Sequence, residues 1–396
     1  MTQQRVYGPA MDQLRPRFPG LADGWARFDG PAGTQVVDTA IEATAAWQRS
    51  GDNANSHGAF AASAACDELI DGARSVMGRL LGADPAGMVF GPSTTSNVMG
   101  LTRAIARELG PGDEIVCTQL DHDSNVSPWL LAAADTGATV RMAPIDVATG
   151  RLSTEAVTDL LTDRTRWVAV TGASNAIGTI PDVPAIVDSA HEAGAKVVVD
   201  GVHLTPHRPV DVSHLGCDVY STSSYKWYGP HLGVTWVEPE LLESLVAYKV
   251  RPAADTGPGK FELGTPQYES LAGLIAAAEF LLAESPAALA ERETQVFSRL
   301  LDGLLAIDRV RVLGPDDLTD RAPTLAFVVE DHTPDAVARA LAEERIAVWD
   351  GHYYAVELME ALGLGEKGAV RAGVVAYIDH DDVERLVEAV ARIAGG

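Results

Sequence analysis

The stretch DVYSTSSYKWYGPHLGVTW, residues 218–236, decides how this chain is read. An apolar run closes in small hydroxyl residues and is followed by Lys226, two aromatics and the pair Gly229-Pro230, which sets one amine at the end of a strand in a tight turn. Most lysines solvate a surface. An amine in a desolvated, aromatic-lined turn has its neutral form favoured and can form a Schiff base with a carbonyl. Lys226 is therefore the candidate nucleophile.

Outward from that turn, residues 219–222 and 234–237 read as short strands flanking Lys226. Upstream, 196–199 is a strand of valines ending at Asp200, preceded by a helix at 184–193, a strand at 167–170, a helix at 126–134 and a strand at 114–117. Farther back, the spacing predicts a helix over 97–109, a strand over 88–90 and a helix over 62–81 that breaks at Gly82, Pro85 and Gly87. Short β-like runs alternating with helical crossovers are the α/β signature and favour a parallel or mixed sheet. After Tyr248 the texture changes. The loop RPAADTGPGKFELGTPQ (251–267) leads into an Ala/Leu helix at 271–282, and beyond Pro286 come a helix, a strand at 324–329, a helix, a short strand at 348–349 and a closing helix at 383–393. The expected division is an N-terminal segment (1–20) packing with the small domain, a large domain (21–280) and a smaller α+β C-terminal domain (281–396). A chain of 396 residues is long enough for two cores and a deep site.

Composition excludes several classes of partner. With 30 Lys+Arg against 55 Asp+Glu the net charge is −25, which repels nucleic acid and anionic membranes. Cys66, Cys117 and Cys217 are far apart and lack CxxC spacing, so neither a disulfide framework nor a thiolate metal site is suggested. The N-terminus has no apolar leader and no run of about 18 apolar residues occurs, so the expectation is a cytoplasmic protein with no membrane partner.

Two further motifs carry chemistry. GPSTTSN (91–97) lies between a strand and a helix, where free helical NH groups and the hydroxyls of Ser93, Thr94, Thr95 and Ser96 can converge on an anion, most naturally phosphate; an ordinary Ser/Thr N-cap reads the same way. It is neither a Walker motif nor GxGxxG, and GPG at 257–259 followed by Lys260 lacks the rest of a P-loop. Asp200, at a strand end, needs a cationic or NH partner to offset its desolvation. HLTPH (203–207) and Asp121-His122-Asp123 can each be drawn as metal ligands. Pro206 argues against the helix the first needs, and an adjacent triplet cannot easily turn three groups to one centre, so no metal is expected. A phosphate cup, a strand-end Asp and a Lys, in that order along an α/β chain, are together what pyridoxal 5'-phosphate requires: the cup takes the phosphate, the Asp pairs with the pyridine nitrogen, and the Lys holds the aldehyde.

These features, and above all VVVDGVHLTPHRPVDVSHLGCDVYSTSSYKWYGPHLG (197–233), resemble the class V aminotransferase family, in its cysteine desulfurase and selenocysteine lyase-like branch, of fold type I among pyridoxal phosphate enzymes. The likeness runs from FDGPAGTQ (28–35) to RAGVVAYIDHDDVERLV (371–387). It implies a large domain with a mostly parallel central sheet and a smaller α+β domain, with Lys226 as the Schiff-base lysine and Asp200 on the pyridine nitrogen. His203 would lie beside the ring oxygen, His122 would stack on the ring, and Thr94, Thr95 and Ser223 would bind phosphate. The resemblance further implies Asn175 (in GASNAIGTI) near the ring oxygen and substrate, Arg371 as the bidentate clamp of the substrate carboxylate, and His57 (in NANSHG) facing the substrate. Thr265, in GTPQ, would reach across a homodimer interface to the partner's phosphate.

The departures bear on the reaction. Relatives of this branch carry a loop Cys that takes sulfur and a His just before the lysine; here the loop reads WDGHYYAVELM (349–359), with Tyr353 and Tyr354 where the Cys would fall, and Tyr225 precedes Lys226. A phenol cannot accept sulfane sulfur, although Tyr225 or Tyr354 can serve as acid/base or shape the pocket. The expectation is an amino-acid C–S or C–Se lyase working by β-elimination without a persulfide cysteine. An aminotransferase or an epimerase uses the same machinery, and a non-catalytic binding module stands in a separate class.

Overall fold

The computed structural model describes residues 14–395. After a two-residue strand β1 (Ala26–Arg27), the large unit builds a seven-stranded sheet from β2 (Met88–Gly91), β3 (Glu114–Thr118), β4 (Thr139–Ala143), β5 (Thr165–Thr171), β6 (Lys196–Asp200), β7 (Val219–Ser223) and β8 (Gly233–Val237). Their order is β2-β8-β7-β6-β5-β3-β4. All neighbours pair in parallel except β8, which runs against both β7 and β2. Every parallel strand therefore ends on one edge, the edge where an open α/β sheet offers a crevice.

The valine runs follow from burial on both faces. Val197 and Val199 join the larger apolar cluster while Val198 joins the second; Val168 and Val170 face one way, Trp167 and Ala169 the other. Helices α1 (Asp38–Arg49), α2 (Ala61–Leu81), α3 (Thr94–Ile105), α4 (Ser127–Thr136), α5 (Val183–Glu192) and α6 (Tyr268–Glu284) belong to this unit, with α6 packed on α1 and α2. Ser285, at φ 64°, bends the chain by 76° into α7 (Pro286–Leu305). The small unit then forms β9 (Val310–Leu313), β10 (Thr324–Val329), α8 (Pro334–Glu343), β11 (Ile346–Ala347), β12 (Trp349–Gly351), β13 (Ala369–Gly373) and α9 (His380–Gly395). Its antiparallel sheet has the order β12-β13-β10-β9. No single helix among the described residues is long and apolar enough to cross a membrane.

Three readings of the sequence change. The helix expected from Asn97 starts at Thr94, because Ser93 caps it by accepting from Ser96 N at 3.1 Å, and it gives way at Ala106–Glu108 to a 3₁₀ turn. The strand expected at 348–349 is two strands, β11 and β12, with Val348 in neither. The edge strand β4 and the strands β9 and β13 were not anticipated, since half-exposed TVRMA and Gly/Ala-rich AVRAG lack a strong β pattern.

Of the segment 1–20, residues 1–13 lie outside the described residues. From Leu14 onward the arm lies on the small unit. Arg15 Nη1 donates to the carbonyl of Tyr377 and to the carboxylates of Asp379 and Asp382, at 3.1, 3.0 and 2.6 Å. Phe18 packs edge-on against Tyr228, Phe280 and Tyr377, at the seam between the units. The arm continues to Arg27, where β1 pairs in parallel with β11.

Candidate active site

One cavity opens at the carboxyl edge of the sheet, and it is lined by residues that leave the ends of five strands. Ser93, Thr94 and Thr95 follow β2; His122 and Ser124 follow β3; Thr171, Ala173 and Asn175 end and follow β5; Asp200, Val202 and His203 end and follow β6; Ser223, Tyr225 and Lys226 end and follow β7.

Lys226 sits in a 3₁₀ turn (Ser224–Lys226) directly after β7. The turn is pinned from both sides. Ser224 N donates to Leu232 O at 3.0 Å and Gly229 N to Ser224 O at 2.9 Å, while Thr34 N donates to Tyr225 O at 2.9 Å. Lys226 Nζ is buried and donates to the carbonyl of Pro31. Burial, and then the positive charge of Arg371, bring its pKa down to about 7, with Asp200 acting in the opposite direction. Asp200, also buried, is pushed up to about 6 by desolvation; Val202 N donates to its Oδ1 at 2.9 Å. Burial thus drives both groups towards their neutral forms.

His122 accepts from Ser124 N at 3.0 Å through Nδ1, which also lies 2.7 Å from Ser124 Oγ. Burial and the nearby cations drop its pKa to about 3, so the ring is neutral. Its ring stacks on that of Tyr354 at 5.5 Å. Below it Asp121 turns inward instead, bonded to Thr118 and Asn125, and burial raises it to about 8. The His203-to-His207 pair also divides: His203 lines the cavity, while His207 Nδ1 meets Glu293 Oε2 at 2.8 Å in a fully buried pair.

The phosphate cup is narrower than four converging hydroxyls. Ser93 and Ser96 bond each other at 2.9 Å, and Thr94 Oγ1 lies 2.8 Å from Thr222 O and 2.6 Å from Ser223 Oγ. What stays open to the cavity is the first helical NH groups of α3 and the hydroxyl of Thr95. Gly233 makes this closeness possible, since a Cβ there would stand 2.2 Å from Ser93 C and 2.4 Å from Thr94 N.

Arg371, on β13, is a buried guanidinium short of acceptors. Nη1 donates to Asn175 O at 2.9 Å, the Tyr353 ring lies 4.4 Å from Cζ, and Nε has no partner among the described residues. Burial lowers its pKa to about 10. A desolvated cation with an open N–H is suited to a carboxylate. Asn175 Nδ2 donates to Tyr353 O at 2.9 Å, and its Oδ1 is buried without a partner among the described residues. Tyr225 stacks on His231 at 4.9 Å, with Lys226 Nζ 5.4 Å from its ring centre.

Four expected residues are not among those that line this cavity: Arg371 adjoins it through its bond to Asn175 O, Tyr354 through its stacking on His122, and His57 and Thr265 stand apart. His57 has its side chain 87% exposed, beside Asp67, because φ 68° turns the backbone outward there. Thr265 lines a separate cavity of about 250 Å³ with Leu263, Phe90 and Asn97. Residues that sequence reasoning did not single out include Pro31, Ser124 and Thr171, with FDGPAGTQ the available signal for the first; Tyr353, noted in the sequence only as standing where a Cys would fall, packs its ring on Arg371. All three cysteines are buried and none lines the cavity.

The donor set fits pyridoxal phosphate: an amine of lowered pKa, a buried carboxyl, a helix N-terminus with a hydroxyl, and two orphaned polar atoms, Asn175 Oδ1 and Arg371 Nε, for substrate. Comparison with known proteins agrees. Residues 27–386 match the profile of the Aminotransferase class-V family. The chain is 31% identical over 398 residues to the uncharacterized protein MT3887 of Mycobacterium tuberculosis, covering 96% of this chain and 98% of the relative. It is likewise 31% identical to the aminotransferase-like protein FGM3 of Gibberella zeae, over 97% and 98%. The crystal structure of the cysteine desulfurase CsdA from Escherichia coli superposes with a TM-score of 0.88 at 29% identity, covering 97% of this chain and 98% of that one.

Proposed function

The chain belongs to the class V aminotransferase family and is a pyridoxal phosphate-dependent enzyme, and from that premise we propose that it is an amino-acid C–S or C–Se lyase that works by β-elimination without a persulfide cysteine. The observation that carries this reading is the pairing of a buried amine near neutral pKa with a cavity wall that has no thiol. Bound cofactor supplies an electron sink for the pair left when the Cα–H bond breaks. The first NH groups of α3 and the Thr95 hydroxyl, braced by the Thr94–Ser223 pair, would hold its phosphate, Asp200 its ring nitrogen, His122 its ring face and Lys226 its aldehyde.

Arg371 receives the substrate α-carboxylate through its open N–H, with the Tyr353 ring beneath it fixing its plane. Lys226, freed from the cofactor's aldehyde, would be the base that takes the α-proton, since burial favours its neutral amine. A Cα–Cβ double bond would form as the bond from Cβ to sulfur or selenium breaks, the thiolate or selenolate leaving with its electron pair, and water would hydrolyse the released enamine to a 2-oxo acid and ammonia. A persulfide route would need an accessible thiolate at the mouth. Cys117 is raised well above the usual thiol range by burial, Cys217 is pushed up to about 12, and the Tyr354 ring stacks on His122. The active form is a cytoplasmic homodimer in this reading, with Thr265 serving the partner's phosphate.

A panel of cysteine conjugates tests the reading: pyruvate, ammonia and the free thiol should appear in equal amounts. Accumulation of the amine form of the cofactor, reversed by a keto acid, would replace the lyase by a transaminase. Absence of any spectral change with any amino acid would reduce the protein to a binding module.

A further inference from the structure

The small unit's sheet touches residues that line the cavity at two places, Asn175 and His203. β13 supplies Arg371, and on the adjacent β10 Thr324 stands opposite Gly373, two residues along. Thr324 is fully buried, and its Oγ1 lies 3.0 Å from His203 Nε2. That is the one side-chain hydrogen bond of this hydroxyl among the described residues. His203 in turn lines the cavity, and its Nδ1 has no hydrogen bond among the described residues. Burial, with His207, Lys226 and Arg371 nearby, holds the imidazole neutral. A neutral ring carries one proton, so its position decides whether the free nitrogen offers a donor or an acceptor.

The hydrogen-bond accounting resolves this. A buried hydroxyl that cannot donate leaves an unsatisfied O–H, which costs far more than an unused lone pair. If His203 Nε2 carried the proton, Nε2–H would donate to Thr324 and the hydroxyl hydrogen would have no acceptor. If Nε2 is bare, the Thr324 hydroxyl donates to it and the ring proton sits on Nδ1. The second arrangement satisfies both groups. We propose that Thr324 is a positioning residue that fixes His203 as the Nδ1–H tautomer, so that the ring presents a hydrogen-bond donor to the cavity. The small unit thereby sets a proton position in the large unit from the same pair of strands that holds the carboxylate clamp.

The tautomer follows from the chain's own hydrogen bonds, whereas its effect on the cofactor rests on the site proposed above, so the experiment reads the two separately. Nitrogen-15 histidine labelling of the full-length holoenzyme, with His203 assigned by loss of its signals in His203→Gln, should show Nδ1 protonated and Nε2 bare. Thr324→Ser should retain that pattern. Thr324→Val, which keeps the shape but cannot donate, should leave Nε2 bare but without the hydrogen bond it accepts, so that its nitrogen-15 signal moves towards that of an unbonded acceptor. Nε2–H in the unaltered enzyme, or an Nε2 signal that does not move in Thr324→Val, overturns the assignment; the first result needs no variant to fold. The pH midpoint of the enzyme's visible band is the second readout. Loss of the anchor that aims Nδ1–H at the cofactor's ring oxygen should shift it by up to about one pH unit in Thr324→Val and leave it in place in Thr324→Ser. An Nε2 signal that moves while the midpoint stays would overturn the proposed effect on the cofactor alone.

Discussion

At the scale of single residues, burial rather than partner charge dominates the chemistry of this site. Desolvation is the largest influence on Lys226, Asp200, His122 and Arg371 alike. For Lys226 the sign is definite. Its folded pKa, about 7, lies below the 10.5 of an ordinary lysine, so between those values the unfolded chain holds a proton that the folded chain does not. Stability of the cofactor-free protein should therefore fall as pH drops through that window and level off below about 7. Lys226→Met should remove the dependence and raise stability at neutral pH by an amount on the order of a few kcal/mol, read as urea midpoints between pH 7 and 10. The same shift predicts that capture of pyridoxal phosphate by the cofactor-free protein accelerates with a midpoint near pH 7; a midpoint near 10 would show an ordinary amine. Arg371 gives a substrate-side test. Arg371→Gln removes a charge-assisted contact worth roughly 1.5–3 kcal/mol, so KM for an amino-acid substrate should rise by roughly 10- to 100-fold. Arg371→Lys should recover only part of it, because an ammonium cannot reproduce the planar fork.

At the scale of elements, the junction of β2 with α3 depends on a side chain that is absent. Gly233 lets β8 lie against the backbone of Ser93 and Thr94, so Gly233→Ala must push the helix start away from the sheet. Cofactor affinity should drop by more than about tenfold, measured by titrating the visible band, while removal of the N-cap in Ser93→Ala should cost about 1 kcal/mol of stability. The same junction shows what the sequence made legible. Lys226, Asp200 and the Ser/Thr cup each end a strand or start a helix, so period and punctuation sufficed to place them. The helix start was misplaced by three residues because Thr94 and Thr95 are poor helix formers by propensity, and the cap geometry of Ser93 decides the boundary. Pro31, the part that Tyr353 plays beside Arg371, and Thr324 were illegible for another reason. They reach the site from 195, 127 or 98 positions away from Lys226, through contacts that only the assembled units create; Tyr353, moreover, sits at φ 54° beside Tyr354 at φ 59°, a backbone that no local pattern of tyrosines announces.

At the scale of the whole molecule, the two units meet through a few buried polar contacts whose loss is costly. Glu293 on α7 accepts from Tyr228 at 3.3 Å and pairs with His207 at 2.8 Å, both on the large unit. Thr265 raises the question of where a site ends. It lines a cavity apart from Lys226, next to Leu263, which is 67% exposed on this chain. If that segment serves the partner's phosphate, mixed dimers will report it. Lys226→Ala homodimers cannot hold the cofactor covalently, and Thr265→Ala homodimers should hold it roughly tenfold or more weakly, for one lost hydrogen bond to an anion. In a dimer with one subunit of each kind, one site loses both groups and the other regains both. Half of the sites should then load with the affinity of the unaltered enzyme. Were Thr265 to act within its own chain, the lysine-bearing subunit would still lack it, and the mixed dimers would load no more tightly than Thr265→Ala alone.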